Sequence, residues 1–316
     1  MTLRLSEHGL SRRTLLGGAA ALSLASVLPA PFAWAQPLSA GPVMVGAIKV
    51  TPLFDGLYPL PLDIVPDAAS PAGHELMKKM GAPAAGPIPI PVNAFAVEKA
   101  GRLVLIDSGT GAAGGADLGK AAGALAHAGL DRAKVEAIIL THLHVDHAGG
   151  AIGADGKAVF PNAELVVQHE EIEFWMDDGI RSRAPQGMDG FFGAARAVLA
   201  AYPKRVRAVT GAVELWPGLT AVPEPGHTPG HMGVMIADGV DSLIMWADIM
   251  HVGAMQFPHP DWSVLYDVNR TQAAETRARM LDRLTVERTP VMGSHLADRG
   301  VIERDGTGYH MVPVPA

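Results

Sequence analysis

The chain contains no cysteine, which excludes disulfide bonds, thiolate zinc sites, iron–sulfur clusters and cysteine nucleophiles. Any transition metal must therefore be held by histidine and carboxylate side chains, and 13 histidines are present. Positive charge is also scarce, since 25 Lys and Arg stand against 32 Asp and Glu. The net charge of −7 argues against a nucleic-acid-binding protein, which would need a basic surface.

Long hydrophobic runs are missing too. No segment beyond the N-terminal region approaches the roughly 20 consecutive apolar residues of a membrane-spanning helix. We therefore expect no stable membrane insertion of the mature chain. Apolar residues still make up 48% of the 316 positions and charged residues only 18%, a balance that favours a large buried core over a disordered chain.

The first 35 residues have the organisation of an export signal. Arg12 and Arg13 precede a weakly apolar run at residues 15–28, and Ala33-Trp34-Ala35 resembles a cleavage site. The arginine pair is typical of a twin-arginine signal. We expect residues 1–35 to be removed and the domain at 36–316 to be periplasmic or secreted. The mature net charge would be −9, because three arginines and one glutamate are lost from −7.

Eight prolines lie between positions 59 and 91. Proline at this density disrupts both helices and central strands. We therefore predict that residues 59–91 form a long irregular surface segment around one short helix at 74–80. Long loops in compact domains often form lids or substrate walls, which makes this segment a candidate lid. A disordered insert is the alternative.

Elsewhere the hydrophobic pattern predicts strands and helices in two successive sets. The predicted strands are 43–50, 92–98, 103–106, 135–140, 164–168, 219–222, 232–237, 242–246, 290–292, 301–304 and 309–312. The predicted helices are 117–128, 170–176, 191–201 and 271–284. This order favours an α+β protein in which two sheets pack together with helices outside.

The strongest chemical signal is the sequence His-Leu-His-Val-Asp-His at 142–147, directly after a predicted strand. Side chains alternate along an extended segment, so His142 and His144 point the same way. Asp146 and His147 belong to the start of the next helix. One short segment thus directs two sets of ligands toward two different positions, as a pair of metal ions about 3.5–4 Å apart requires. Later strand ends carry three more candidate ligands: His227, Asp248 and His295.

These ordered motifs resemble the metallo-β-lactamase superfamily of dinuclear metallohydrolases over residues 43–316. The resemblance implies an αβ/βα four-layer sandwich and two divalent metal ions, zinc first, with manganese, cobalt or iron as alternatives. It implies that Asp107 orients a ligand histidine and that His231 is structural. The implied ligands are His142, His144 and His227 for one metal, Asp146, His147 and His295 for the other, and Asp248 as the bridge.

Five further stretches resemble the exported methyl-parathion-hydrolase-like branch, which adjoins the acyl-homoserine lactonases: 160–163, 174–175, 190–192, 226–231 and 308–309. This resemblance implies that Trp175 and Phe191 line a leaving-group pocket, with core packing as the alternative. His251 occupies a position where lactonases can place a substrate-contacting tyrosine. Its implied role is a hydrogen bond to substrate, and a surface or supporting role is the alternative. A homodimer is also implied.

These features predict a metal-dependent hydrolase whose metal-bridging hydroxide attacks a small-molecule lactone or ester. Asp146 and Asp248 are the candidate catalytic residues that would pass a proton to the leaving group. A quorum-quenching lactonase is the first interpretation. An organophosphate phosphotriesterase is the alternative, although Gly114 and Gly115 stand where methyl parathion hydrolases have an aromatic residue. A β-lactamase is the least favoured interpretation, because Asp248 stands where many of those enzymes have a cysteine.

Overall fold

Two seven-stranded sheets form the framework of the protein in a computed structural model, which describes residues 41–82, 86–185 and 187–314. The export signal expected at residues 1–35 lies outside the described residues. Within the described ranges, none of the helices combines the length and the apolar character needed to cross a bilayer.

In the first sheet the strands follow chain order. They are β1 (Val43–Val45), β2 (Ile48–Leu60), β3 (Ile88–Lys99), β4 (Arg102–Ile106), β5 (Val135–Ile139), β6 (Glu164–Gln168) and β7 (Val206–Val209). The strands from β1 to β4 are antiparallel, whereas β4 to β7 run parallel to one another. The parallel strands therefore end at a common edge of the sheet.

The second sheet runs in the reverse of chain order. Its strands are β14 (Gly308–Pro313), β13 (Gly300–Asp305), β12 (Val291–Met292), β11 (Asp241–Met245), β10 (Met232–Asp238), β9 (Leu219–Pro223) and β8 (Glu214–Trp216). Neighbouring strands are antiparallel except for the parallel pair β11 and β12.

Eight α-helices surround or connect the sheets. They are α1 (Pro71–Met80), α2 (Ala121–His127), α3 (Val145–Ala148), α4 (His169–Met176), α5 (Asp178–Arg183), α6 (Asp189–Ala201), α7 (Gly253–Gln256) and α8 (Arg270–Glu287), counted within the described ranges. Helix α8 begins where the Asn269 side chain accepts a hydrogen bond from the Gln272 N–H, and it ends at Arg288 in the left-handed conformation.

Both faces of each sheet are buried, and this produces four layers. In β4, Leu105 belongs to the core cluster that includes residues of α2, α4 and α6, whereas its neighbour Ile106 belongs to the core between the sheets, because side chains alternate along a strand. Ile236 of β10 is part of that same core. On the far side, Ile244 of β11 packs with Leu281 of α8. The structure thus confirms the αβ/βα sandwich that the sequence motifs implied.

The prediction of an irregular segment at 59–91 is wrong at both ends, where β2 and β3 extend into it. Pro59 pairs directly with Pro89, and Leu57 pairs with Pro91. These are alternate pairs of an antiparallel ladder, at which the N–H groups point away from the partner strand. Proline at these positions removes no hydrogen bond from the pairing, so the strands continue through it.

The middle of the same segment is ordered as well. Helix α1 begins three residues earlier than expected, because the Ser70 side chain accepts a hydrogen bond from the Gly73 N–H and a proline occupies the first helical position. Met77 on this helix packs with Leu60 and Val252 in a small separate core. The described residues of the segment therefore pack into a core cluster with Val252, the neighbour of His251.

Candidate metal centre

The candidate ligands follow the C-terminal ends of strands that meet at one edge of the two sheets. His142 and His144 follow β5, His227 follows β9, Asp248 follows β11, and His295 follows β12. Asp146 and His147 lie on the short helix α3 that comes directly after the β5 turn. The fold thus gathers seven side chains that span more than 150 positions of the sequence.

The seven residues fall into two groups whose ligand atoms lie within 4.8 Å of one another, and a third group of that kind joins Asp248 and His295 to His251. The first set is His142, His144, His227 and Asp248, and the second is Asp146, His147 and His295. Both sets agree with the division that the sequence resemblance implied. The second set is also close to Asp248, through His147 and His295.

Asp248 lies between the two sets. Its Oδ1 is 3.2 Å from His147 Nε2 in the second set, and its Oδ2 is 3.3 Å from His227 Nε2 in the first. Oδ2 is also 3.3 Å from His295 Nε2. One carboxylate therefore faces imidazole nitrogens from both sets, which is the arrangement a bridging ligand needs.

Unpartnered polar atoms at this place test whether the residues fit metal ions. His142 Nε2, His147 Nε2 and Asp248 Oδ1 are buried, and none has a hydrogen-bond partner among the described residues. Buried polar atoms without partners are rare because they cost free energy. Imidazole nitrogens and carboxylate oxygens are also the donors that zinc and similar divalent ions take from proteins. These unpartnered nitrogen and oxygen atoms converge on one place and are of the kinds that bind divalent metals, so the residues fit two divalent metal ions.

The charge states of the first set suit metal binding. Burial lowers the pKa of His142 and His144 well below the ordinary histidine value, and neighbouring imidazoles lower it further. Both side chains are therefore neutral and keep a free lone pair, as metal ligation requires. Burial raises the pKa of Asp248, but His147 and His295 lower it more, so its carboxylate is charged.

The outer nitrogens of three ligand histidines are held by partners behind them. His147 Nδ1 lies 2.8 Å from Asp107, His227 Nδ1 lies 2.8 Å from Asp267, and His295 Nδ1 lies 2.8 Å from the Pro91 carbonyl. In the neutral tautomer with its proton on Nδ1, each of these rings donates to the oxygen behind it and has an Nε2 lone pair free for a metal ion at the centre. Asp107 thus lies where the sequence resemblance placed it, beside a ligand histidine.

Asp107 adopts a left-handed conformation with a φ of 58°. A residue other than glycine pays a strain cost in this conformation, which the surrounding structure must offset. The offset comes from Thr141, whose N–H and hydroxyl both donate to the Asp107 carboxylate at the start of the ligand loop. The strained backbone therefore holds the carboxylate between the ends of β4 and β5.

The buried carboxylate of Glu171 on α4 joins the two loops that carry the first ligand set. It accepts hydrogen bonds from the Leu143 N–H at 2.9 Å and the Thr228 hydroxyl at 2.6 Å. It also accepts from the Trp175 indole at 2.6 Å and the Gly230 N–H at 3.1 Å. Sequence reasoning missed this residue, because one glutamate on an amphipathic helix carries no motif.

His231 lies close to the centre without joining either set. Its Nδ1–H donates to the Glu224 carbonyl at 2.9 Å, and its Nε2 accepts from the Asp248 N–H at 3.1 Å. With both ring nitrogens engaged, His231 fixes the backbone of Asp248. This agrees with the structural role that the resemblance implied.

A cavity of about 350 Å³ opens beside the ligands. Asp146, Asp248 and His251 contribute to its lining, and so do Phe191 and Leu118. Among the described residues that line it, none is Lys or Arg. The cavity therefore combines carboxylates and apolar surface with no fixed positive side chain.

The structure separates the three residues that were expected to contact substrate. Phe191 lines the cavity, with its ring centroid 5.3 Å from that of His144. His251 also lines it, with Nε2 3.2 Å from Asp248 Oδ2. Trp175 does not, and the expectation that it lines the pocket is wrong. It is fully buried, packs against Phe192 behind His144, and is held there by its hydrogen bond to the α4 carboxylate.

Two tyrosines in the cavity lining, Tyr58 and Tyr266, were missed by sequence reasoning. Tyr58 lies on β2, next to the segment that was expected to be irregular. Tyr266 lies in a connection without regular structure before α8. Neither position carries a spacing or motif that would have identified it.

The fold and the two ligand sets define a protein built around a histidine–aspartate centre for two metal ions. The family model of the metallo-beta-lactamase superfamily matches residues 87–295, and the chain belongs to that superfamily.

Two curated relatives are N-acyl homoserine lactonases. One, from Bacillus sp, is 31% identical over 99 residues, which cover 31% of this chain and 32% of the relative. The other, from Bacillus cereus, is 28% identical over 108 residues, covering 34% of this chain and 35% of the relative. The match thus spans about a third of the length of each relative.

Solved structures match over most of the chain. The hydrolase AbOPH of the beta lactamase superfamily is 28% identical, with a TM-score of 0.81, covering 88% of this chain and 98% of that one. AidC, described as a dizinc quorum-quenching lactonase in complex with a product, also has a TM-score of 0.81. It is 24% identical and covers 89% of this chain and 99% of its own, a likeness that shows the shared fold.

Proposed function

We propose that this protein is a dinuclear-metal hydrolase that opens uncharged lactones, with N-acyl homoserine lactones as the leading substrate class and zinc as the leading metal. The observation that carries the proposal is the pair of ligand sets sharing Asp248 beside a cavity whose described lining contains no Lys or Arg. The two lactonase relatives support the substrate class.

The absence of Lys and Arg from the described cavity lining favours an uncharged substrate. Two bound divalent ions would more than balance the charges of Asp146 and Asp248, but Asp117 is a further carboxylate in a lining that has no Lys or Arg among its described residues. A charged substituent that extends along this wall would be repelled by Asp117, whereas an uncharged substituent of a lactone would not. Phe191 and Leu118 supply apolar surface for an alkyl substituent.

Two bound divalent ions would supply a water of near-neutral pKa and polarise the carbonyl of the substrate. Asp146 is the residue placed to handle the proton, because its side chain is 25% exposed and lines the cavity. Burial raises the pKa of Asp146, but His147 and His295 lower it more, so its carboxylate is charged and can accept a proton from the water that attacks the carbonyl. It then returns that proton to the alkoxide oxygen released when the ring opens.

His251 is the candidate hydrogen-bond donor to the substrate. Burial lowers its pKa, so the ring is neutral and carries one N–H. Its Nδ1 has no hydrogen-bond partner among the described residues, and its Nε2 faces Asp248. A substrate oxygen close to Asp248 would lie within reach of this ring.

A phosphotriesterase is the second candidate, because a phosphotriester is also uncharged and Phe191 offers a surface for an aryl leaving group. Gly114, which also lines the cavity, stands where methyl parathion hydrolases have an aromatic residue. This departure, together with the two lactonase relatives, ranks phosphotriester hydrolysis below lactone opening.

The test compares N-hexanoyl-homoserine lactone with methyl paraoxon, using protein loaded with zinc. We expect kcat/KM for the lactone to exceed that for the phosphotriester at least tenfold, about 1.4 kcal/mol of transition-state stabilisation. A chelator should abolish both activities, and added zinc should restore them. A phosphotriester kcat/KM far above that of the lactone would reverse the ranking, and activity that survives metal removal would refute the metal mechanism.

A further inference from the structure

Two tyrosine hydroxyl groups meet in the wall of the cavity. The oxygens of Tyr58 and Tyr266 are 2.8 Å apart, although the residues are 208 positions apart in the sequence. Both residues are half-buried, and both line the same cavity as Asp146 and Phe191. The pair therefore adds two hydroxyl groups to the cavity lining, apart from the metal ligands.

The pair is held from both sides. The Leu265 N–H, next to Tyr266, donates to the Ile64 carbonyl at 2.8 Å, which ties the two chain segments together. On the other side of Tyr266, Asp267 is fixed by His227 of the first ligand set. The two hydroxyl groups are thus positioned before any substrate enters, which reduces the entropy lost on binding.

The two hydroxyl groups together offer the hydrogen-bond donor and acceptor that a secondary amide needs. When one hydroxyl donates to the other, the acceptor keeps its own hydrogen, and both oxygens keep lone pairs. Neither hydroxyl has another hydrogen bond among the described residues. Burial raises the pKa of Tyr266 above the ordinary tyrosine value, and the bond to Tyr58 raises it further, so the hydroxyl stays protonated. The pair can therefore donate to an amide carbonyl and accept from an amide N–H.

We propose that Tyr58 and Tyr266 recognise the amide of an N-acyl substituent and so select N-acylated lactones over lactones with a plain alkyl substituent. This assignment rests on the proposed lactonase function. It adds to that function a specificity determinant outside the metal ligands.

The experiment measures kcat/KM for N-hexanoyl-homoserine lactone and for α-heptyl-γ-butyrolactone, whose substituent has a similar length but no amide. The variants are Tyr58→Phe, Tyr266→Phe and the double variant. We expect each single variant to lower the ratio of the two kcat/KM values by about three- to tenfold, the usual effect of one hydrogen bond between neutral groups. The double variant should lower the ratio little further, because the two hydroxyls act as one unit.

The matched control is Tyr309→Phe. The Tyr309 hydroxyl donates to Asp282, and the residue is not among those lining the cavity beside the ligands. This variant should leave the ratio unchanged. Thermal unfolding of every variant checks that each is folded, and either single variant suffices for the test if the other fails to fold.

Three results would overturn the assignment. An unchanged ratio in the folded Phe variants would show that the hydroxyls do not recognise the amide. An equal loss for both lactones would show that the tyrosines only shape the cavity. If the unsubstituted wild-type sequence, loaded with zinc, opened neither lactone, the proposed function itself would fail, which is a separate outcome from a failure of the tyrosine pair.

Discussion

The two ligand sets have similar chemistry but different surroundings. In the first set, His142, His144 and His227 are 0%, 5% and 3% exposed. The second set contains Asp146, whose side chain is 25% exposed in the cavity. The members of the first set are therefore almost fully buried, although three of them line the cavity, whereas the second set presents one partly exposed carboxylate to it.

The supports behind the two sets differ as well. Glu171 and Asp267 hold the first set, and both are buried carboxylates with several partners. The second set rests on Asp107 and on the main-chain carbonyl of Pro91. The comparison indicates that metal binding by the first set depends mainly on charged side chains. Metal binding by the second set depends in part on β3, because the Pro91 carbonyl that holds His295 lies on this strand.

Substitution Asp248→Asn should have the largest effect, because it removes the charge that both sets share. We expect kcat/KM for the lactone to fall by about a thousandfold or more, since each 1.36 kcal/mol is a factor of ten and a metal contributes several kcal/mol. Metal analysis should show fewer than two ions per chain. Asp241→Asn, at the exposed start of the strand β11 that Asp248 follows, is the control. Two retained metals with full activity would contradict the shared role.

The next prediction separates the two sets. Asp107→Asn should weaken metal binding by the second set and Asp267→Asn by the first, each about 10–100-fold, because each removes the partner of a ligand histidine. A competitive titration with a chromogenic chelator measures both binding steps. If both variants weakened the same step, the division into two sets would be wrong.

Substitution Glu171→Gln should reduce stability. Each carboxylate oxygen accepts from one backbone N–H, so the amide nitrogen of glutamine would face a donor in either orientation. We expect the free energy of unfolding to fall by about 1–3 kcal/mol, measured by urea denaturation. Glu173→Gln, exposed on the same helix, should change it by less than about 0.5 kcal/mol. Equal effects of the two variants would exclude the bridging role of Glu171.

The smallest expected effect tests whether Trp175 belongs to the core or to the substrate pocket. Trp175→Phe removes the indole hydrogen bond to Glu171 and should lower the free energy of unfolding by about 1 kcal/mol. Because Trp175 does not line the cavity, kcat/KM for the lactone should change by less than about threefold. The companion variant Phe191→Ala removes a ring that does line the cavity and should raise KM more strongly. The opposite pattern would place Trp175 in the substrate pocket after all.

The sequence predicted the parts of the molecule that depend on local pattern. The 142–147 motif follows a mostly apolar strand, and the alternation of side chains assigned His142 and His144 to one direction. His227, Asp248 and His295 were found because each follows a strand. Family resemblance divided these residues into two sets, and the geometry agrees.

The rest depends on contacts between distant residues. The number of prolines at 59–91 led to a wrong prediction, because proline disrupts a strand only at positions where the pairing needs a backbone N–H. The pairing register decides which positions these are. Glu171 and the pair of Tyr58 and Tyr266 gain their roles from partners at least 28 positions away. Trp175 was misplaced because a tryptophan beside a site has the same sequence signature whether it faces the cavity or the core.

The most direct test of the central claim is a crystal structure of catalytically active protein with metals located by anomalous scattering. The ligand geometry predicts two ions about 3.5–4 Å apart, with Asp248 between them and one ligand set on each. A fully active enzyme with no bound ion, or with His227 and His295 far from the 142–147 segment, would contradict it.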